Sequence, residues 1–331
     1  MGAQQQAKSN EHTWKQYPYV PPWGDPEWFT FPRSDGYRQE VGLATYLIQG
    51  FVTGRTTGNT YAFLGLLTDT HSGRRRSRAT VYTFALFNCS RRQYGTSSDF
   101  DLPRTALPRR KHKLDATPEY MAMVYNGDAG VSRWDPRYTE DEEMLPFEWT
   151  LEFQGTDREH THMSLELDVA AHNPPAPQGG STIGGEIMLH GAEKAYSYFQ
   201  TELWMRGRIS WGDIKEEVEG DTGWIERQFA LGDHITSSDK WAVFYRSERR
   251  SLQFENGWNL SCVQQYHRAH HNTLVPWSGI TAQGPSPDFQ LRATSNVTVE
   301  ISAFQRAPEA IQPRVPLTKG PAYFPHGYRI K

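Results

Sequence analysis

The stretch Gly223-Trp224-Ile225-Glu226-Arg227-Gln228-Phe229 is the most informative part of this 331-residue chain, and it is typical of a β-strand. Side chains of a strand point alternately to two faces, so Trp224, Glu226 and Gln228 share one face and the residues between them share the other. A carboxylic acid beside an indole and an amide is an unusual choice for a purely structural core. It suits a proton donor in an apolar pocket, where desolvation favours the neutral form of a carboxyl group.

Composition extends the strand interpretation to the whole chain. There are 11 Trp, 16 Tyr and 16 Phe, and aromatic residues favour strands. The 28 Gly and 21 Pro supply many turns, and no stretch has the periodicity of a long amphipathic helix. We therefore predict an all-β fold made of antiparallel meanders.

Charge, hydropathy and motifs exclude several classes of function. The formal net charge of −3 gives no reason to expect a nucleic-acid partner. No apolar window approaches the ~18 residues of a membrane span, and the N-terminus lacks the apolar core of a signal peptide, so a cytoplasmic protein without a membrane span is predicted. The sequence also lacks a G-x-S-x-G elbow and a Gly-rich loop leading into a helix, so neither serine-hydrolase chemistry nor a cofactor is predicted.

A Pro/Gly-rich stretch at residues 173–181 divides the chain. We predict an extended N-terminal segment over residues 1–37, a first β domain over 38–180 and a second over 181–331. Each domain has the pattern of a barrel or curled sheet, and barrels of about eight strands enclose space for one small ligand.

Three further predictions concern single segments. Residues 92–115 carry turn and charge signals with little periodicity, which indicates a long loop. After the linker we predict one long strand over Tyr198–Trp211. A turn and a separate polar strand over Ile214–Glu219 then precede the opening stretch.

Short motifs spread over most of the chain form a set. They are the Tyr198 strand with Gly207, the opening stretch, Trp241-Ala242-Val243-Phe244, the Asn256-Gly257 hairpin, Tyr323-Phe324-Pro325, and in the first half Tyr61–Gly65 and Thr80–Phe87. Together they resemble the hydroxyneurosporene synthase and AttH-like family, which includes carotenoid 1,2-hydratases, kievitone hydratase and lipocalin-like Diels–Alderases. The resemblance implies two lipocalin-like β domains with a pocket at or between them.

The resemblance also implies roles for particular residues. Glu226 would protonate a carbon–carbon double bond, and aromatic faces would stabilise the resulting carbocation by up to ~2 kcal/mol in a desolvated site. Trp224 is the first candidate for that contact, with Tyr198 and Trp241 behind it, and Gln228 completes the predicted substrate-binding set. Relatives usually carry Asp at the position of Glu226, so this chain keeps the acid on a longer side chain.

A structural role for Glu226 is the alternative to a catalytic one. On this interpretation its carboxylate forms a buried ion pair with Arg227, or with Arg206 or Arg208 on a neighbouring strand. Sequence alternation alone places many carboxylates beside aromatic residues, so the pattern leaves both interpretations open.

Clusters of histidine and arginine invite other functions. His160 and His162 share a strand face, as do His267 and His271, but neither pair has a third metal ligand nearby. Surface hairpins are therefore predicted instead of metal sites. Two basic runs could bind phosphate or nucleic acid; they are Arg74-Arg75-Arg76 and Arg109-Arg110-Lys111. For both runs we predict solvated loops instead.

Three hypotheses of function follow. The first is a lyase or cyclase that hydrates, isomerises or cyclises a C=C bond of a hydrophobic unsaturated small molecule, such as a terpenoid, polyene or polyketide, by acid catalysis from Glu226. The second is a pericyclase that holds a polyene in a folded conformation without proton transfer. The third is a non-catalytic carrier of a lipophilic ligand, as many lipocalin-like barrels are.

Overall fold

A computed structural model describes residues 14–38, 41–72, 77–101, 112–178, 186–189, 192–230, 245–267, 273–274, 279–284, 290–294, 299–306 and 323–330. Within these ranges every regular element is a β-strand, apart from one 3₁₀ turn at Arg33–Asp35. The all-β prediction is confirmed. No helix in these ranges has the length and apolar character needed to cross a membrane.

The strands follow one another in antiparallel meanders. They are β1 (Leu43–Gly54), β2 (Thr60–Ser72), β3 (Ser77–Asn88), β4 (Gln93–Asp101), β5 (Leu114–Ala116), β6 (Met123–Gly127), β7 (Gly130–Tyr138), β8 (Met144–Thr156), β9 (His162–Ala171), β10 (Ala176–Pro177), β11 (Glu186–Leu189), β12 (Ala192–Thr201), β13 (Leu203–Trp211), β14 (Ile214–Ala230), β15 (Tyr245–Gln253), β16 (Asn259–His267), β17 (Thr273–Leu274), β18 (Gly279–Gln283), β19 (Gln290–Thr294), β20 (Val299–Arg306) and β21 (Tyr323–Ile330).

One large sheet holds the first 14 of these strands, in the order β4-β3-β2-β1-β14-β13-β9-β8-β7-β6-β5, with β10–β12 attached through β12 and β14. Burial alternates along its strands; in β1, for example, Ala44, Tyr46 and Ile48 are buried between less buried neighbours. The sheet is curled, as contacts between distant strands show. The Phe153 ring of β8 lies 5.9 Å from the Phe84 ring of β3 and covers Gly65 of β2. The result is a half-barrel with an aromatic core.

Strand β14, at 17 residues, is the longest of the described strands, and it connects the two halves of the large sheet. One edge pairs with β1 over most of its length, and the other edge pairs first with β13 and then with β12. The predicted polar strand at Ile214–Glu219 and the opening stretch are therefore one continuous strand. The prediction of one strand over Tyr198–Trp211 is wrong, because Glu202 has a backbone φ of 53°, outside the β region, and separates β12 from β13.

The predicted loop over residues 92–115 contains strands. Gln93–Asp101 forms β4, which pairs with β3 at Phe87↔Tyr94, and Leu114–Ala116 forms β5. Strand β4 is at the edge of the sheet, where most of its side chains are at least partly exposed. Such a strand lacks the apolar alternation by which a half-buried strand is recognised.

The large sheet continues through the predicted domain boundary at residues 180/181. Strands β12–β14 follow the Pro-rich linker, yet they hydrogen-bond with β1 and β9. That boundary therefore does not coincide with a sheet boundary, and the division into two domains stays a prediction. The smaller sheets are β15-β16-β18-β19, with β17 on β16, and the pair β20-β21.

Residues 14–38 lie before the first strand and bury aromatic rings against the large sheet. Trp28 stacks on Tyr196 with centroids 4.6 Å apart, and Phe31 meets the Tyr198 ring edge-on at 5.3 Å. The Trp23 indole N–H donates to the Pro175 carbonyl oxygen at 2.9 Å. This N-terminal segment thus packs on the sheet and contributes to the core.

Candidate functional site

The second half of β14 has no solvent-facing side: every residue from 223 to 230 is buried. The strand lies between β1 and β12 in the sheet, and both faces of the sheet are covered at this point. The sequence alternation therefore separates two buried environments, one on each side of β14.

The Glu226 face carries the three side chains that the sequence grouped together. Trp224, Glu226 and Gln228 are 3, 7 and 5% exposed, so all three are buried. The Trp224 indole stacks on Phe199 of β12 with centroids 4.5 Å apart and planes at 8°. The Gln228 amide N–H donates to Glu226 Oε1. The acid is therefore held between an aromatic pair and an amide.

A second amide extends this arrangement. Gln178 follows β10, and its Oε1 accepts hydrogen bonds from Gln228 Nε2, at 3.1 Å, and from the Ser197 hydroxyl. The backbone N–H of Gln178 donates to the Ser197 carbonyl oxygen at 3.1 Å, which fixes the segment against β12. We call Ser197, Gln178, Gln228 and Glu226 the amide chain. Gln178 was missed by the sequence analysis, because it belongs to the Pro-rich linker and has no strand periodicity.

The smaller sheet of β15–β19 covers the same face. Thr201, opposite Trp224 on the neighbouring strand, donates from its hydroxyl to Gln283 Oε1 of β18 at 3.2 Å. Gln253 Nε2 of β15 donates to the Gly223 carbonyl oxygen at 2.9 Å. The Glu226 face therefore lies where the smaller sheet meets the large one.

The opposite face holds a buried charged cluster. The Arg227 guanidinium stacks on the Tyr46 ring, 3.5 Å from its centroid, and Nη2 donates to the Gly36 carbonyl oxygen at 3.1 Å. Asp35, in the 3₁₀ turn, accepts a hydrogen bond from the Tyr198 hydroxyl. We call Asp35, Tyr198, Arg227 and Tyr46 the Asp35 cluster.

Burial dominates the electrostatics of the Asp35 cluster. It raises the pKa of Asp35 to about 6, against the opposing effects of the Arg227 charge, the Tyr198 hydrogen bond and the Arg38 charge. Burial also raises the pKa of Tyr198 well above its usual value, and the nearby Asp35 charge adds to the effect. Both groups therefore favour their neutral forms more than they would in water.

The structure brings some predicted site residues together and separates others. Trp224, Glu226 and Gln228 share one environment, whereas Tyr198 faces the opposite side of the sheet, where it binds Asp35. Trp241 lies outside the described residues. Asp35 was missed by the sequence analysis, since an isolated acid in an extended N-terminal segment gives no pattern that indicates burial.

The ion-pair alternative for Glu226 can be compared with the arginine positions. Arg227 points to the other face of β14, toward Tyr46. Arg208 pairs with Glu166 at 2.5 Å, and Arg206 is exposed on β13. None of the three arginines proposed from the sequence is paired with Glu226.

A small cavity lies in the described part of the half-barrel core. A cavity of about 20 Å³ lies among side chains that include Tyr46, Tyr82, Tyr125 and Trp134. One water molecule needs roughly 10–15 Å³ of such space, so this cavity suits a water molecule and not a terpenoid.

The histidine and arginine clusters lie away from both faces or outside the described residues. His160 is exposed in the turn between β8 and β9, with a backbone φ of 63°. No group of three or more metal-type side chains occurs in the part of the chain that the structure describes. His270, His271 and both arginine runs fall outside that part.

No protein-family model matches the sequence, and no curated protein matches it either. Solved structures do match. A provisionally named AttH protein from Nitrosomonas europaea has a TM-score of 0.60 at 13% identity, over 94% of this chain and 83% of that one. Kievitone hydratase from Nectria haematococca has a TM-score of 0.55 at 10% identity, over 96% and 82%. At such identities the likeness shows the fold: the chain has the lipocalin-like all-β architecture of these two proteins.

Proposed function

We propose that the protein is a hydratase-type lyase that acts on a C=C bond of a hydrophobic small molecule, with Glu226 as the proton donor. The observation that supports this most is the burial of Glu226 beside Trp224 and Gln228, on a sheet face covered by the smaller sheet. One protein with the same fold is named as a hydratase, which favours a lyase over the other classes. The fold alone would allow many functions, so the proposal depends on the site.

The proposed chemistry is an acid-catalysed addition. Glu226, in its acid form, transfers its proton to one alkene carbon, and the π electrons form the new C–H bond. The other carbon becomes a cation. Water adds to that carbon through oxygen, and its surplus proton returns to the Glu226 carboxylate. Loss of a carbon-bound proton to the Glu226 carboxylate, in place of water addition, gives an isomer. Attack by a second double bond closes a ring and moves the positive charge to the far carbon of that bond, where addition of water or loss of a proton to the Glu226 carboxylate completes the reaction.

The surrounding side chains fit these steps. Gln228 donates a hydrogen bond to Glu226 Oε1 and lies beside the proposed acid. Phe199 stacks on the Trp224 indole, and in the proposal this aromatic pair stabilises the cationic intermediate. Trp224 and Gln228 are the substrate-binding residues of the proposal.

Glu226→Gln tests the acid. The substitution keeps the size of the side chain and removes its proton, so turnover is expected to fall by roughly 10²- to 10⁴-fold. The assay incubates terpenoid and polyketide alkenes with the protein in D₂O containing heavy-oxygen water and follows deuterium and heavy oxygen in the product by mass spectrometry. Glu219→Gln is the matched control, because Glu219 lies on the same strand but is exposed.

The other hypotheses predict different results in this assay. Full turnover by Glu226→Gln, with no deuterium on carbon, would indicate a pericyclase. A ligand that binds tightly and is recovered unaltered from the wild-type protein would indicate a carrier. Either outcome contradicts acid catalysis by Glu226.

A further inference from the structure

Two buried donors on the Glu226 face have no hydrogen-bond partner within the part of the chain that the structure describes. They are Gln178 Nε2 and the Trp224 indole Nε1, on side chains that are 1 and 3% exposed. A buried N–H without an acceptor costs about 1–3 kcal/mol, so folded proteins leave few of them unpaired. Two on one face, beside a candidate catalytic acid, suggest that a bound molecule supplies the acceptors.

The orientation of the Gln178 amide follows from its neighbours. Its Oε1 accepts from Gln228 Nε2 and from the Ser197 hydroxyl. Exchanging the oxygen and nitrogen of Gln178 would bring two amide nitrogens together at the Gln228 contact, where both are donors. Gln178 Nε2 therefore points away from the amide chain.

The smaller sheet presents a polar surface to the same region. Asn259 and Ser261 of β16 are buried, and their register partners in β18 are Gln283 and Thr281. Among the described residues, Asn259 Oδ1 and the Ser261 hydroxyl also have no hydrogen-bond partner. A purely hydrocarbon ligand would leave such groups unpaired, whereas an oxygen-bearing ligand can pair them.

We propose that Gln178 determines substrate specificity by donating a hydrogen bond from Nε2 to an oxygen of the substrate, and that the substrate is an alkene carrying a hydroxyl or carbonyl group. Trp224 Nε1 supplies a second donor to the same polar end. The double bond then lies at Glu226, and the apolar remainder contacts the Trp224–Phe199 pair. This inference rests on the proposed function for the position of the reacting bond, but the choice of an oxygenated ligand rests on the unpaired donors.

A set of three probes with one carbon skeleton tests the inference: farnesene as the hydrocarbon, farnesol as the alcohol and farnesal as the aldehyde. Binding to the full-length protein is measured by quenching of tryptophan fluorescence and checked by calorimetry. We expect the wild-type protein to bind farnesol or farnesal at least about 10-fold more tightly than farnesene, since each hydrogen bond to a buried donor contributes about 1 kcal/mol or more.

Two substitutions remove one donor each. Gln178→Glu keeps the acceptor for Gln228 but removes the N–H, and Trp224→Phe keeps the stacked ring but removes the indole N–H. Each is expected to reduce the ratio of the affinity for the oxygenated probes to the affinity for farnesene by at least about 3-fold. Gln200→Leu is the control, because Gln200 is a buried glutamine on the opposite face of β12. Thermal melts check that each variant is folded.

Several outcomes would overturn the inference. They are equal binding of all three probes by the wild-type protein, binding of no oxygenated probe, and an equal change of preference in Gln178→Glu and Gln200→Leu. Failure of the proposed function gives a different result. The wild-type protein and Glu226→Gln both keep the preference for the oxygenated probes, and Glu226→Gln also keeps its turnover.

Discussion

Glu226 and Arg227 are neighbours in the chain, but they belong to different environments. Glu226 bonds to Gln228 on the side covered by the smaller sheet, whereas Arg227 stacks on Tyr46 on the side of the half-barrel core. The alternation of a strand produces this separation, because adjacent side chains point to opposite faces. Two ionisable side chains that are adjacent in sequence thus lie in separate buried environments.

Strands β9 and β13 approach each other closely at Gly207. A Cβ atom at this position of β13 would overlap the carbonyl oxygen of Glu166 on β9. Because the obstacle is backbone, no side-chain rotation can relieve it. We expect Gly207→Ala to lower the free energy of unfolding by about 1–3 kcal/mol or more, measured by urea unfolding.

Gly58 provides the comparison for that measurement. Nothing lies within contact distance of a Cβ at Gly58, although its φ of 70° disfavours alanine. Gly58→Ala should therefore show only the conformational penalty of roughly 1 kcal/mol. If Gly207→Ala is as stable as the wild-type protein, the predicted cost is contradicted, and strands β9 and β13 can move apart to accept the Cβ atom.

At the scale of elements, the N-terminal segment is held on the sheet by Asp35. The carboxylate bonds to Tyr198 of β12 and lies near the charge of Arg227 on β14. Arg38 of the same segment donates to the Trp28 carbonyl oxygen at 2.7 Å and lies over the Phe229 ring. The segment therefore joins two strands of the candidate site from the core side.

Asp35 makes stability depend on pH. Its pKa is raised from 3.8 to about 6 in the folded protein, so the folded state binds this proton more tightly than the unfolded state. The resulting stabilisation is fully present below about pH 4 and is lost as the pH rises through about 6, and a difference of roughly two pKa units corresponds to about 3 kcal/mol. We expect the stability of the wild-type protein relative to Asp35→Asn to fall by about this amount between pH 4 and pH 7.5.

The comparison with Asp35→Asn isolates this one group, because other titrating groups are common to both proteins. Urea unfolding at several pH values gives the two free energies. A difference in stability that stays constant from pH 4 to pH 7.5 would contradict the raised pKa of Asp35.

At the scale of the whole molecule, hydrogen bonds connect the large sheet to the smaller one. The Thr201 hydroxyl donates to Gln283 Oε1 at 3.2 Å and accepts from Asn173 Nδ2 at 3.0 Å. Gln283 Nε2 in turn donates to the Pro174 carbonyl oxygen at 3.0 Å. Linker, β12 and β18 thus meet at one buried point next to the Glu226 face.

Thr201→Val tests the importance of this connection. Valine keeps the shape of threonine but leaves the Asn173 N–H and the Gln283 carbonyl oxygen without this partner. We expect the free energy of unfolding to fall by about 2 kcal/mol. Thr83→Val is the control, since the Thr83–Ser98 contact is exposed and water can replace it. Equal effects of both substitutions would contradict a structural role for the buried connection.

The all-β class, most strand positions and the grouping of Trp224, Glu226 and Gln228 could be predicted from the sequence, because these depend on the two-residue period of a strand. The sequence could not determine that Tyr198 faces away from Glu226, since that requires the register of β12 against β14. Only the tertiary structure brought Gln178 and Asp35 to the two faces of β14. Both come from segments without periodicity, whose side chains are placed by contacts between residues far apart in the chain.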